Sequence, residues 1–191
     1  MRYATLVTVL MLAGCISGNY TPVIRYVVDP EPDLPQVQPS GKSIGIRPLE
    51  PLMPYKQRIV YRTVDYRVGY SDTAEWAEMP RDTLTRALTD ALAASQRFGD
   101  VGNASDLRDP DYVLTGQLRK FDEDRTTDPW NAVCEIRLEL RQGFERDAAW
   151  AATLTQKVAL ERNDTAALAP AMSSAVARII EQAVTAITLI E

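Results

Sequence analysis

Ala132-Val133-Cys134-Glu135-Ile136-Arg137-Leu138-Glu139-Leu140-Arg141 decides the fold. Cys134, Ile136, Leu138 and Leu140 alternate with Glu135, Arg137, Glu139 and Arg141. A period of two over this length is a β-strand with one face buried and one face wet. A free thiol on the buried face behaves as a small hydrophobe. Outward from this strand the pattern repeats. Gly143 to Asp147 reads as a hairpin turn, and Trp150 to Leu160 returns with Trp150, Ala152, Leu154, Val158 and Leu160 in phase. Upstream, Tyr112 to Leu118 is another strand, and Asp122-Glu123-Asp124-Arg125 with Asp128-Pro129 reads as a solvated polar loop. Downstream, Leu168, Met172, Ala175, Val176, Ile179, Ala183, Ile187 and Ile190 take helical spacing, with Asp164 or Thr165 as the cap.

The first half adds strands at Ser43–Pro48, Gln57–Arg62 and Tyr66–Tyr70. The last two form a hairpin turning at Thr63-Val64-Asp65, although Val64 is a poor turn residue. Ser71-Asp72, with Glu75 behind them, could cap a helix that begins at Thr73 or at Pro80 and runs to Ser95. Leu84, Leu88 and Leu92 form its core stripe. Glu75 and Glu78 would then share a helical face with Arg81 as a surface charge ladder. Phe98 to Pro110 reads as a turn-rich connection. The order β-β-β-α-β-β-β-α, after an edge strand docked at Val23–Val28, is an α/β (α+β) domain: a mixed β-sheet with two long helices packed on it.

The 191 residues carry a net charge of −5, without a basic stripe for nucleic acid. They include no histidine, which removes the commonest general base and metal ligand. No zinc-type cysteine pair or phosphate-cradling glycine loop occurs either. The domain therefore reads as non-enzymatic, with a lipid-anchored hydrolase working through a carboxylate pair such as Glu75 and Glu78 the formal alternative.

The N-terminus carries its own signal. Arg2 precedes the apolar stretch Tyr3 to Met11, and Leu12-Ala13-Gly14-Cys15 follows. This resembles the lipobox of bacterial lipoproteins, in which the signal peptide is cut before a cysteine that then carries lipid. On that resemblance residues 1–14 are signal peptide, Cys15 is the lipidation site, and the covalent lipid is the one non-protein group expected. Residues 15–41 read as the lipidated cysteine and a proline-rich linker, with Pro22, Pro30, Pro32, Pro35 and Pro39, able to hold the domain tens of ångströms from the bilayer at about 3.1 Å per residue. The domain occupies residues 42–191. With Cys15 acylated, Cys134 has no disulfide partner.

Four further segments occur in a telling order: Tyr26-Val27-Val28-Asp29-Pro30, Ile44-Gly45-Ile46-Arg47-Pro48, Tyr55-Lys56-Gln57-Arg58-Ile59-Val60-Tyr61-Arg62, and Trp76-Ala77-Glu78-Met79-Pro80. Together with the lipobox they resemble the ABC-type transport auxiliary lipoprotein family. Two departures are visible: Lys56-Gln57-Arg58 stands where a leucine, a polar residue and arginine are usual, and Met79 is inserted before Pro80. The resemblance implies a fold similar to the TolB N-terminal and anticodon-binding-like domains. It implies a periplasmic domain hung from the outer membrane, with Ile16 and Ser17 at the sorting positions after Cys15, where aspartate would retain the protein at the inner membrane. It further implies an accessory of an MCE/ABC-type intermembrane lipid transport system that tethers or caps an MCE-domain tunnel protein and ABC transporter components, and it allows a homo-oligomer around the tunnel mouth. An accessory lipoprotein of outer-membrane assembly or of a secretion system is the alternative. Tyr55, Arg58, Tyr61 and Trp76 are the residues of hot-spot type for partner contact; the plainer role for Tyr61 and Trp76 is core packing.

Overall fold

The computed structural model describes residues 22–190, apart from positions 144 and 146. The signal peptide and the residues expected to carry lipid and sorting information, Cys15, Ile16 and Ser17, lie outside the described residues. The elements run β1 (Ile24–Tyr26), β2 (Ser43–Ile46), β3 (Glu50–Pro51), β4 (Arg58–Arg62), β5 (Val68–Trp76), α1 (Pro80–Ala94), β6 (Asp100–Asn103), β7 (Tyr112–Asp124), β8 (Asn131–Gln142), β9 (Ala148–Ala159) and α2 (Thr165–Thr188).

β7 organises the sheet. One edge pairs antiparallel with β8 from Tyr112–Gln142 to Asp124–Asn131, and β8 pairs antiparallel with β9. The other edge is shared by three strands, all parallel to it: β2 beside Tyr112–Leu114, β3 beside Gln117 and Leu118, and β4 beside Asp122–Asp124. β6 adds to β2 in parallel, β5 adds to β4 antiparallel, and β1 closes that side in parallel with β5. The result is the mixed sheet with two helices that the hydrophobic pattern predicts.

Both helices contribute to one core. Cys134, Ile136, Leu138 and Leu140 of β8 are fully buried, and so are Leu168, Met172, Val176, Ile179, Ile180 and Ile187 of α2, which packs on β8 and β9. Burying each such aliphatic side chain is worth about 1.5–3 kcal/mol relative to exposure. Asp164 caps α2 by accepting from the Ala167 amide at 2.8 Å. Pro170 lies inside α2 but faces solvent, as does Ala166, so the carbonyl it leaves without an intrahelical donor is on the wet side. Gly116 on β7 lets the sheet receive Leu49: a Cβ there would meet the Arg137 carbonyl oxygen at 2.6 Å and Leu49 Cδ2 at 2.8 Å. No helix among the described residues is long and apolar enough to cross a membrane.

The structure corrects several expectations. The segment Ser71–Trp76 is not a helix start but the continuation of β5, because two neighbours claim its backbone: the Trp76 amide donates to Gln57 and the Ala77 amide to Tyr26. α1 begins at Pro80 after an extended Met79, and no side chain caps it. Glu75 and Glu78 therefore share no helical face. Glu75 is a strand residue 3.5 Å from Arg25, whereas Glu78 accepts from Thr83 at 2.9 Å and Arg86 at 3.0 Å. The connection after α1 contains β6, held by parallel pairing to β2. Asp122, Glu123 and Asp124 are not a solvated loop: they are the end of β7, with Asp122 at 1 % and Glu123 at 0 % exposure.

Residues 24–41 run along the domain. β1 joins the sheet and Val28 is buried. The Asp29 amide donates to Ser173 Oγ at 3.1 Å and the Asp33 amide to Glu181 Oε1 at 2.8 Å, strapping the proline-rich stretch across α2. Further on, the Ser40 amide donates to the Arg97 carbonyl at 2.7 Å, and Arg97 Nη1 donates back to the Gln38 carbonyl at 2.9 Å.

Candidate functional site

The chemistry-bearing residues gather where β4, β5 and the C-terminal half of β7 meet. Tyr55 lies in the proline-rich bend between β3 and β4 and is buried. Its hydroxyl donates to Asp122 Oδ1 at 2.9 Å and lies 3.3 Å from the Arg119 carbonyl. Arg62 Nε donates to the other carboxylate oxygen of Asp122, and Arg62 Nη2 lies 3.4 Å from Met53 Sδ. Burial, reinforced by the Asp122 charge, pushes the Tyr55 hydroxyl well above its ordinary pKa. Burial works against the charge on Arg62, but the hydrogen bond and charge of Asp122 prevail and raise it. Tyr55 and Arg62 thus fix the bend and the hairpin to one buried carboxylate.

A second cluster lies on the opposite face, since Tyr61 and Glu123 alternate with Arg62 and Asp122 along their strands. The Arg125 guanidinium stands 4.0 Å from the Tyr61 ring centre and 4.5 Å from that of Trp130. It also donates to Glu123 Oε2 at 2.6 and 3.0 Å. Glu123 Oε1 has no hydrogen-bond partner among the described residues. Burial raises the Glu123 pKa, with Arg125 opposing. Gly69 is required beside this ring, because a Cβ there would fall on the Tyr61 side chain.

The expected contact residues divide accordingly. Tyr55 is buried against Asp122, Tyr61 is half-buried under Arg125, and Trp76 is buried edge-on to Phe121 with ring centres 5.4 Å apart. Arg58 is exposed, bonded to the Ser71 carbonyl at 3.1 Å and to Asp72, and set over the Tyr70 ring at 5.5 Å. The structure brings Tyr55, Arg58 and Tyr61 around one hairpin and places Trp76 in the core where that hairpin meets β1.

At the hairpin tip the Thr63 amide donates to the Arg67 carbonyl at 3.1 Å. Asp65 and Tyr66 both take left-handed backbone, at φ 62° and 58°. Tyr66 is thereby in the turn rather than in the strand that its alternation with Val68 and Tyr70 predicts. Beside the tip a groove of about 650 Å³ is lined by Arg62, Val64, Tyr66, Lys120, Asp122 and Lys157, among others. Its charges are paired internally: Lys157 with Asp124 at 2.8 Å and Lys120 with Glu135 at 2.7 Å. Cys134 is fully buried, and burial pushes its thiol far above the ordinary value, which makes it a poor nucleophile. Among the described residues no three His, Cys, Asp or Glu gather to hold a metal.

Asp122 and Glu123 are the residues that sequence reasoning missed. The register shift between Leu118 and Lys120 breaks the alternation of β7 ahead of them. A signal existed in Arg125, a cation directly beside the short acidic run Asp122-Glu123-Asp124.

Known proteins share this architecture. A crystal structure of a Xanthomonas campestris protein of family DUF330 matches with 24 % identity and TM-score 0.75, over 87 % of this chain and 96 % of that one. An uncharacterized protein matches at 13 % identity and TM-score 0.66, over 81 % and 97 % of the two chains. A hypothetical protein from Chlamydia trachomatis matches at 8 % identity and TM-score 0.53, over 79 % and 98 %. At these identities the likeness is one of fold. No curated protein matches the chain. The family model described as "ABC-type transport auxiliary lipoprotein component" matches residues 26–184, from β1 through nearly all of α2, and the chain belongs to that family.

Proposed function

We propose that this lipoprotein works at the outer membrane, with its domain facing the periplasm, as an accessory of an MCE/ABC-type intermembrane lipid transport system. Family membership over residues 26–184 carries the reading. Leu12-Ala13-Gly14-Cys15 supports an acylated Cys15, and Ile16-Ser17 at the following positions supports transfer to the outer membrane. The lipid anchor works through buried methylenes at about 0.8 kcal/mol each, so a multiply acylated cysteine holds far longer than one chain. The domain tethers or caps its partners, an MCE-domain tunnel protein and ABC transporter components. Arg58 and Tyr61 supply accessible contact, with Tyr55 and Trp76 fixing the hairpin behind them.

Co-purification of the lipidated protein from gently solubilised envelopes, with mass spectrometry of the recovered proteins, tests the reading. An MCE-domain protein and an ABC permease are the expected partners; recovery of secretion or assembly proteins in their place refutes the transport role. Ile16→Asp is expected to move the protein to the inner-membrane fraction, and unchanged fractionation would refute the sorting argument.

A further inference from the structure

The tip of the β4–β5 hairpin carries apolar surface that the fold does not use. Val64 is 56 % exposed and Tyr66 is wholly exposed. Both Asp65 and Tyr66 hold positive φ, a conformation that tight hairpin turns ordinarily give to asparagine, aspartate or glycine, so Asp65 is usual there and Tyr66, a bulky residue, is not. Tyrosine at this position costs turn stability relative to glycine and leaves an aromatic ring wholly exposed.

The path of the chain says what lies in front of that ring. β1 is parallel to β5, with Ile24 beside Ala74 and Tyr26 beside Trp76. β5 starts next to the tip, at Val68. The backbone entering β1 therefore arrives from the side on which the tip lies. Glu75 lies opposite Arg58 and Val68 opposite Arg62, so β5 from Glu75 to the start of the tip advances only the length of four β4 residues, roughly 13 Å of strand, with the turn that carries Tyr66 just beyond. From Cys15 to Ile24 is nine residues, which reach at most about 30 Å. The tip therefore lies within the reach that this length of chain allows Cys15. Val23 and Ile24, also exposed, extend the apolar surface along this edge. The opposite end of the molecule is far away: Arg62 pairs with the C-terminal end of β7, at Asp124, whereas the loop carrying Arg108 precedes Tyr112 at its other end, roughly 40 Å along the strand.

We propose that the hairpin tip is a second membrane contact, seating Val64 and Tyr66 in the headgroup region of the bilayer that holds the acyl chains of Cys15. The inference rests on the lipid-anchor reading above. Tyrosine suits this layer because its ring is apolar and its hydroxyl is wet. Arg67, 72 % exposed and only loosely paired with Asp65 at 3.4 Å, is placed to meet lipid phosphate. One lipid anchor is a swivel; two contacts orient the domain. The long strands then stand away from the membrane, and the Arg108 end points into the periplasm.

The test uses the full lipidated chain in phosphatidylethanolamine–phosphatidylglycerol vesicles. Nitroxide is attached at Tyr66→Cys, at Val64→Cys as a second tip variant, and at Arg108→Cys as the distal control; the buried Cys134 does not compete for label. Flotation first reports anchoring. Collision with oxygen, compared with collision with a water-soluble nickel chelate, then reports depth. The expected result is flotation of all three, with an oxygen-to-nickel ratio several-fold higher at 64 and 66 than at 108. Flotation with equal ratios overturns the hairpin contact and leaves the anchor standing. Failure to float overturns the anchor reading and the contact with it. Tip labels that stay aqueous on vesicles and become shielded only when envelope proteins are added identify a protein-docking site, and also overturn the proposal.

Discussion

Asp122→Ala is expected to be among the most damaging polar substitutions in this domain. The carboxylate is 1 % exposed and serves two donors, the Tyr55 hydroxyl at 2.9 Å and Arg62 Nε. Removing it leaves the Tyr55 hydroxyl with the Arg119 carbonyl at 3.3 Å, and Arg62 without its ion-pair partner. A hydrogen bond to a charged group contributes about 1.5–3 kcal/mol. Breaking a buried ion pair costs about 3–5 kcal/mol, but Arg62 retains 33 % exposure and can turn its guanidinium toward water, so this loss is discounted. A net cost of about 3 kcal/mol follows. With a urea dependence of about 2–3 kcal/mol per molar, the unfolding midpoint drops by about 1–1.5 M. Asp122→Asn keeps an acceptor for Tyr55 and is expected to lose about half as much; Tyr55→Phe, about 1–2 kcal/mol. The double variant Tyr55→Phe/Asp122→Ala separates pair from parts, with a coupling of at least about 1 kcal/mol expected. A midpoint for Asp122→Ala within about 0.2 M of wild type, against the dependence used above, would refute the view that this carboxylate holds bend and hairpin together.

Other expectations follow from single features. Gly69→Ala places a methyl group on the Tyr61 ring and is expected to cost about 1–3 kcal/mol by urea titration, with Tyr61 ring resonances shifted as it leaves Arg125. Asp164→Ala removes the α2 cap and is expected to cost about 1 kcal/mol in the same assay. Melting temperature is expected to hold at neutral pH and fall below about 4.5. Glu78, Asp111, Glu139 and Asp164 are held below their ordinary values by bonds to Arg86, the Ser43 amide, Arg137 and Arg162, and Asp124, against opposing burial, by Lys157 and Thr126. Their contribution is present above the unfolded values of 3.8 and 4.5 and is lost as pH falls through the lower folded ones. Glu123 has the opposite sign. Its raised folded pKa adds stability that is full below 4.5 and lost as pH rises through the folded value, so Glu123→Gln should gain on wild type as pH rises above 4.5. Cys134 is expected to resist thiol reagents at pH 8 until the domain unfolds; rapid native labelling would contradict its burial.

How much was legible in the sequence depended on how local the deciding interactions are. The alternation from Cys134 to Leu140 survives because β8 is flanked by strands on both sides, packed under α2 on one face and lined with ion pairs on the other, such as Arg137 and Arg141 with Glu139. The stripes of α1 and α2 are legible for the same reason: one face does one job. Ser71–Trp76 was not, because Ser, Asp, Ala and Glu there carry capping and helical preferences that lose to pairing with β1, distant in sequence, and to the bulged continuation of the β4–β5 hairpin. β6 has no hydrophobic pattern of its own and exists through its parallel pairing with β2.

The contact residues show the same division. Aromatic and arginine content singled out Tyr55, Arg58 and Tyr61, and the fold does gather them around one hairpin. Composition alone does not reveal that a carboxylate from β7 holds that hairpin in place, since Asp122 becomes structural only when β4 lies beside it. Tyr66 is the sharper case. Its spacing from Val68 and Tyr70 is that of a strand, and tyrosine favours strands. The difference between a ring packed on a sheet and a ring displayed from a turn is the sign of φ at two adjacent residues, Asp65 and Tyr66. The buried network at Asp122 and the left-handed turn at Asp65 and Tyr66 are therefore best understood together. A hairpin that is to hold an aromatic ring away from the domain needs a base that does not yield, and Tyr55, Arg62 and Asp122 supply it. If that is the purpose of the network, Asp122→Ala should also blur the oxygen-to-nickel contrast at a Tyr66→Cys label under conditions where the rest of the sheet stays folded. Gly69→Ala, which disturbs the opposite face of the hairpin, should blur it less.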